Sequence, residues 1–199
     1  MIRAIFFDAG GVLISIADFE DERAAESLHV NKREFDIIAA KFSDPCEEAK
    51  ISDNEFLGKF SRAFKLDFSF VKKVWLKEYV KRLKLNRDVY KIAFALKKRG
   101  YKIGVISNTK KMYTTINNRE KVYSGFSPVV LSYKAKMIKP NKKIYALACR
   151  RAHVRPSEAV FVDDRIVNVK GGRAFGMKAI LYKNPAQLKK DLRGLGLNF

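Results

Sequence analysis

The first apolar run of the chain, Ile2-Arg3-Ala4-Ile5-Phe6-Phe7, stops at a carboxylate, Asp8, and gives way to Ala9-Gly10-Gly11. A short apolar run closed by glycines predicts a buried strand. The same pattern returns three times. Lys102 to Ile106 runs into Ser107-Asn108-Thr109, Pro128 to Leu131 forms a third run, and Ala159 to Val162 runs into Asp163-Asp164. Lys178 to Tyr182 makes a further strand. Between these runs the period turns helical. Asn86 can cap a helix that ends at Lys97-Lys98-Arg99 with Gly100 as its stop, Lys139 opens a second helix that follows Pro140, and a third follows the acidic pair. Such alternation predicts an α/β fold built on a doubly wound parallel sheet. Gly171, Gly172 and Gly176 fall inside a helical stretch, where they would permit close packing.

Residues from Ala17 to Leu85 show no strand alternation. Asn31-x-x-Glu34 and Ser52-x-x-Glu55 read as capping boxes. Phe56, Leu57, Phe60 and Phe64 recur at helical spacing, as do Val71, Val74, Trp75 and Leu83. The segment therefore reads as a small bundle of about four helices inserted after the first strand. On this reading residues 1–14 and 86–199 form the α/β core and residues 15–85 a helical cap. The aromatic stripe fits the interior of that bundle better than a ligand-binding box.

Length permits one core and a small accessory one: 199 residues, 47% hydrophobic. No apolar run approaches the roughly 20 residues of a membrane span, so a soluble, unprocessed, cytoplasmic protein is expected, monomeric or homodimeric. Cys46 and Cys149 are far apart and lack a CxxC partner, which fits a reducing compartment. His29 and His153 read as structural or surface residues. The charge is uneven. The chain carries a net +20, and residues 86–199 hold 26 basic against 6 acidic side chains. A basic surface speeds capture of anionic substrates, and would also attract nucleic acid without sequence preference.

Asp8, the Ser107-Asn108 pair, Lys139 and the Asp163-Asp164 pair all follow strands of one parallel sheet. Their order and spacing resemble the haloacid dehalogenase (HAD) superfamily, whose motifs match Phe7-Asp8-Ala9-Gly10, Ile106-Ser107-Asn108, Lys139-Pro140 and Phe161-Val162-Asp163-Asp164. The likeness is to its small helical-capped phosphatases and spans nearly the whole chain. It implies a magnesium-dependent phosphatase acting on a small phosphorylated metabolite. Asp8 would attack phosphorus and form an aspartyl-phosphate, with Lys139 as its catalytic partner. Ala9, Gly10, Ser107, Asn108 and Lys139 would bind the phosphate; Asp8, Gly10, Asp163 and Asp164 would hold Mg²⁺.

One position departs from the family pattern. These phosphatases usually carry a second aspartate two residues after the nucleophile, and this chain has Gly10. General acid-base help is worth about 10² to 10⁴ in rate, so weak turnover is expected, or protonation by another carboxylate such as Asp18. The alternative is a catalytically impaired protein that binds phosphorylated ligands or nucleic-acid ends. A haloacid dehalogenase is disfavoured, because it uses no metal and would not need the acidic pair.

Overall fold

The computed structural model describes residues 1–15 and 22–199. Five strands, β1 (Ala4–Phe7), β2 (Lys102–Ser107), β3 (Val129–Leu131), β4 (Ala159–Asp163) and β5 (Lys178–Leu181), form one sheet in the order β3-β2-β1-β4-β5. Every pairing is parallel. Ala4 sits opposite both Lys102 and Ala159, and Phe7 opposite both Val105 and Val162. All four residues of β1 are buried. A parallel sheet is covered on both faces, which is why its central strand is a continuous apolar run and not an alternating one.

Successive side chains on β1 still divide between two cores. Ile5 and Phe7 pack with Val89, Ile92, Ala93 and Leu96 of α5 (Arg87–Lys98) and with Leu188 and Leu192 of α10 (Pro185–Gly194). Ala4 and Phe6 pack on the other face with Ile144, Tyr145 and Ala148 of α8 (Lys142–Ala152) and Val169 of α9 (Ile166–Ala174). Two short helices complete this part, α6 (Thr114–Arg119) and α7 (Ser132–Ala135).

Between β1 and α5 the described chain holds four helices: α1 (Glu22–Ser27), α2 (Lys32–Glu47), α3 (Asp53–Phe64) and α4 (Phe68–Arg82). They gather a third core around the fully buried Trp75, whose ring lies 4.8–5.5 Å from those of Phe60, Phe56 and Phe35. The box at Ser52 is complete, with both reciprocal bonds to Glu55. At Asn31 the structure shows the N-cap half, Glu34 N–H donating to Asn31 Oδ1 at 3.2 Å. This helical core reaches the segment that follows β2: Tyr113 and Val122 belong to it, and Trp75 Nε1–H donates to Tyr113 Oη at 2.7 Å.

One local expectation needs correction. Lys139 does not open a helix: α8 begins at Lys142, after an N-cap in which Asn141 Oδ1 accepts from Lys143 N–H at 3.0 Å. A residue preceding proline is disfavoured in the α region, and Lys139 precedes Pro140. It lies in the turn before the helix, buried. Among the described residues no helix is long and apolar enough to cross a membrane.

Candidate active site

The strand order fixes where the chemistry gathers. From β1 the chain crosses to β2 and β3 on one side, then returns to β4 and β5 on the other, so the crossovers part between β1 and β4. Open α/β sheets bind ligands in the crevice beyond the strand ends at such a switch point. Asp8 follows β1 there, and Asp163 ends β4 beside it. The main chains of these strands hold the two acids in place, since Asp8 N–H donates to Val162 O at 2.8 Å.

Lys139 sits between the acids. Its Nζ lies 2.7 Å from Asp8 Oδ2 and 2.7 Å from Asp163 Oδ2. Asp163 has no exposed surface; its Oδ1 accepts from Arg165 N–H at 2.9 Å, and Asn168 Nδ2 reaches both of its oxygens at 3.0 and 3.1 Å. Burial pushes the Asp163 carboxyl up, but Lys139, the Arg165 N–H and the hydrogen bond with Asp8 outweigh it and hold it below the usual carboxylate range. At Asp8 the balance reverses. Burial, aided by the charge of Asp163, raises it well above that range even though Lys139 pulls it down. Lys139 loses to burial and gains more from the two carboxylates, so its ammonium is held above its ordinary value.

Asp164 joins the group, with ligand oxygens of Asp8, Asp163 and Asp164 all within 4.8 Å of one another. Three carboxylates offer hard oxygen donors alone, a set that fits a divalent cation of the magnesium or calcium type. Gly11 makes the approach possible. Its φ is +67°, and a Cβ there would lie 2.0 Å from Asp164 Oδ2.

A cavity of about 360 Å³ opens over these groups. Asp8, Ala9, Gly10, Ser107, Asn108, Lys139 and Asp164 line it, with Asp163 directly behind Lys139. The eight residues singled out from the sequence thus converge on one place. Asn108 pins the lysine turn to the end of β2, because its Oδ1 accepts from Lys139 N–H at 2.8 Å and its Nδ2 donates to Lys139 O at 3.2 Å. His29 and His153 are helix-end residues with φ of 55° and 53°, outside the cavity wall. Asp18 lies outside the described residues.

Sequence reasoning missed several members. Asn168 stands in the first turn of α9, five residues after Asp163; an amide so placed after an acidic strand end was its only signal. Ser132 Oγ accepts from Thr109 N–H at 2.9 Å and donates to Thr109 O at 3.1 Å, fixing the loop after β2. Lys110 Nζ is buried over the Phe56 ring and 3.4 Å from Glu47 Oε1, which ties α2 to that loop. No local pattern announces either pairing.

Known proteins share this fold and sequence pattern. Residues 2–176 match the family model for haloacid dehalogenase-like hydrolases. The chain is 26% identical to a D-ribitol-5-phosphate phosphatase of Bacteroides thetaiotaomicron over 96% of its own length and 97% of the relative's. It is 27% identical to a glyceraldehyde 3-phosphate phosphatase of Pyrococcus furiosus, covering 96% of this chain and 85% of that one. Among solved structures, a HAD family enzyme from Bacteroides thetaiotaomicron in complex with magnesium and inorganic phosphate superposes with a TM-score of 0.70 at 25% identity, over 92% of this chain and 95% of the other.

Proposed function

This chain belongs to the haloacid dehalogenase-like hydrolases, and from that premise we propose that it hydrolyses the phosphate monoester of a small metabolite at Asp8. The observation that carries this reading is the buried Asp8-Lys139-Asp163 arrangement beside Asp164, in the wall of a cavity. An Asp8 carboxylate oxygen attacks phosphorus as the ester oxygen departs with the bond electrons, leaving an aspartyl-phosphate. Water then cleaves that acyl phosphate, releasing inorganic phosphate and restoring Asp8.

Two anions must meet for the first step. Mg²⁺ held by Asp8, Asp164, the Gly10 carbonyl and, directly or through water, Asp163 would supply the positive charge that offsets their repulsion. The chain's own residues do the rest. Lys139 places its ammonium against Asp8 and neutralises one equatorial oxygen, while Ser107 and the backbone N–H groups of Ala9, Gly10 and Asn108 take the others. Asp163 positions Lys139 and is itself held by Asn168. Residues 15–85 act as a cap over residues 1–14 and 86–199, and Ala40, Ser43, Asp44, Glu47 and Tyr79 of that segment line the cavity. Gly10 supplies no carboxyl for the leaving oxygen, so turnover is slow wherever that oxygen is a basic alkoxide.

Hydrolysis of p-nitrophenyl phosphate with and without magnesium tests the proposal. Activity should require the metal, and Asp8→Asn should lower kcat by about three orders of magnitude or more while leaving the circular dichroism spectrum unchanged. Near-wild-type activity in that variant would exclude the covalent route.

A further inference from the structure

The edge of the sheet opposite the cavity is crowded with cations. Parallel strands all start at one edge and end at the other, and Asp8, Ser107 and Asp163 stand at the ends. At the starts, Arg3 precedes β1, Lys102 opens β2 and Arg155 lies in the turn before β4. Helices α5 and α8 run back to this edge and bring Lys97, Arg150 and Arg151 in their last turns. We propose that this face docks the phosphate backbone of a double-stranded nucleic acid, away from the catalytic cavity and independently of the phosphatase reading.

Two adjoining hollows collect these groups. Arg3, Arg150 and Arg155 line one, Lys97, Lys102 and Arg151 line the other, and His153 lines both. Among the described residues that line them, Glu158 is the one carboxylate, and it is already shared between Arg3 at 3.8 Å and Arg155 at 3.2 Å. Three of the other cations are held by neutral carbonyls: Lys97 Nζ donates to Gly125 O at 2.8 Å, Lys102 Nζ to Ala152 O at 2.6 Å and Arg151 Nη1 to Val129 O at 3.5 Å. Such bonds fix where a charge stands without cancelling it. Arg150 is exposed and makes no ion pair among the described residues. Cations at helix C-termini also favour their own helices, but Arg3, Lys102 and Arg155 lie outside the α-helices, so that benefit does not account for the cluster.

The lining chemistry points to a duplex. Arginine predominates in the two hollows, and its planar guanidinium matches a phosphate with two parallel hydrogen bonds. Proteins that hold single strands without sequence preference stack the bases on aromatic rings. Tyr101 is the one aromatic residue among those lining the hollows, and it is half-buried. A duplex hides its bases and presents one phosphate per about 1.7 Å of axis, so charge alone can hold it. A lipid surface fits less well, because binding there also buries apolar side chains, and no exposed large hydrophobic residue lines either hollow.

The test is fluorescence anisotropy of a labelled mixed-sequence DNA duplex of about 20 base pairs, titrated with the intact protein at about 50 to 200 mM potassium chloride. Six cations less one carboxylate should give a slope of about −4 to −5 in log association constant against log salt. Replacing three of them, Lys97→Gln, Arg150→Gln and Arg151→Gln together, should bring the slope to about −2 and weaken binding at the lowest salt by about tenfold or more. Lys72→Gln, Lys73→Gln and Lys77→Gln remove the same net charge from exposed positions on α4 and should leave the slope unchanged. Arg150→Gln alone breaks no bond within the fold and should still reduce the slope by about one. Equal losses in the two triple variants would show that net charge and not this face drives binding, and overturn the proposal. Tighter binding to a single strand of the same sequence, or to phosphatidylserine vesicles, would overturn it as well. No turnover is read, so failure here leaves the phosphatase reading standing, and failure of that reading leaves this one intact.

Discussion

Asp163 and Asp164 are neighbours in sequence and do different work. Asp163 is fully buried with both oxygens hydrogen-bonded, whereas Asp164 is half-buried and faces the cavity. Asp163→Asn removes one of the two carboxylates against Lys139 inside the protein, and losing a buried charged hydrogen bond costs about 1.5–3 kcal/mol. Asp164→Asn should cost little stability and instead raise the magnesium concentration needed for half-maximal activity. Thermal denaturation and a magnesium titration of both variants check this, and equal losses of stability would contradict it. Gly10 is the other informative residue. Gly10→Asp should raise kcat/KM on an alkyl phosphate more than on p-nitrophenyl phosphate, whose leaving group needs less protonation. Equal gains on the two would mean that another group delivers the proton or that chemistry is not rate-limiting.

The elements place these residues by close contact. Helix α9 lies against the Lys139 turn through Gly171, where an added Cβ would meet Pro140 Cβ at 2.6 Å and Pro140 O at 3.1 Å. A backbone carbonyl and a ring have little room to yield, so Gly171→Ala should cost about 1–3 kcal/mol and shift the adjacent lysine. The expected signature is a fall in kcat larger than the same stability loss causes elsewhere. Ser52→Ala is the control. It removes an exposed helix N-cap in the helical insertion, costs about 1 kcal/mol, and should leave kcat nearly intact. Equal kcat values for the two variants would show that the α9 contact does not position Lys139.

Across the whole molecule, burial makes the fold sensitive to alkali. The Cys46 thiol is pushed up to about 12 and the Cys149 thiol to about 11, burial being the main cause for both. The Tyr79 hydroxyl is raised to about 12 by burial against a smaller opposing bond from Asn117, and Tyr90, Tyr123 and Tyr145 are raised further, with burial again foremost. Unfolded thiols and phenols release their protons near their ordinary values of 9.0 and 10.0. Folded groups keep them longer, so stability is fully present below pH 9 and declines as pH rises through the folded values. The Tm should therefore fall as pH rises from 9 toward 12. Relief of the +20 self-repulsion as lysines discharge would act in the opposite direction, so a Tm that rises over this range would show that charge outweighs burial.

The sequence by itself determined the strands, their acidic or polar ends, the helical insertion and the set of residues that meet at the site. These properties are local: strand burial, helical period and caps each depend on neighbours a few positions away, and in a parallel sheet every strand ends at the same edge. Tertiary structure alone decided which acid of the pair turns inward, that Lys139 reaches both Asp8 and Asp163 from a turn ahead of α8, and that Asn168 and Ser132 secure the neighbouring loops. It also set Ser43, Asp44 and Glu47 against the cavity. The strand order brings Asp8 beside Asp163 across more than 150 residues of chain, and which polar groups then satisfy one another inside follows from how the crossovers stack, a property that no stretch of a few residues encodes.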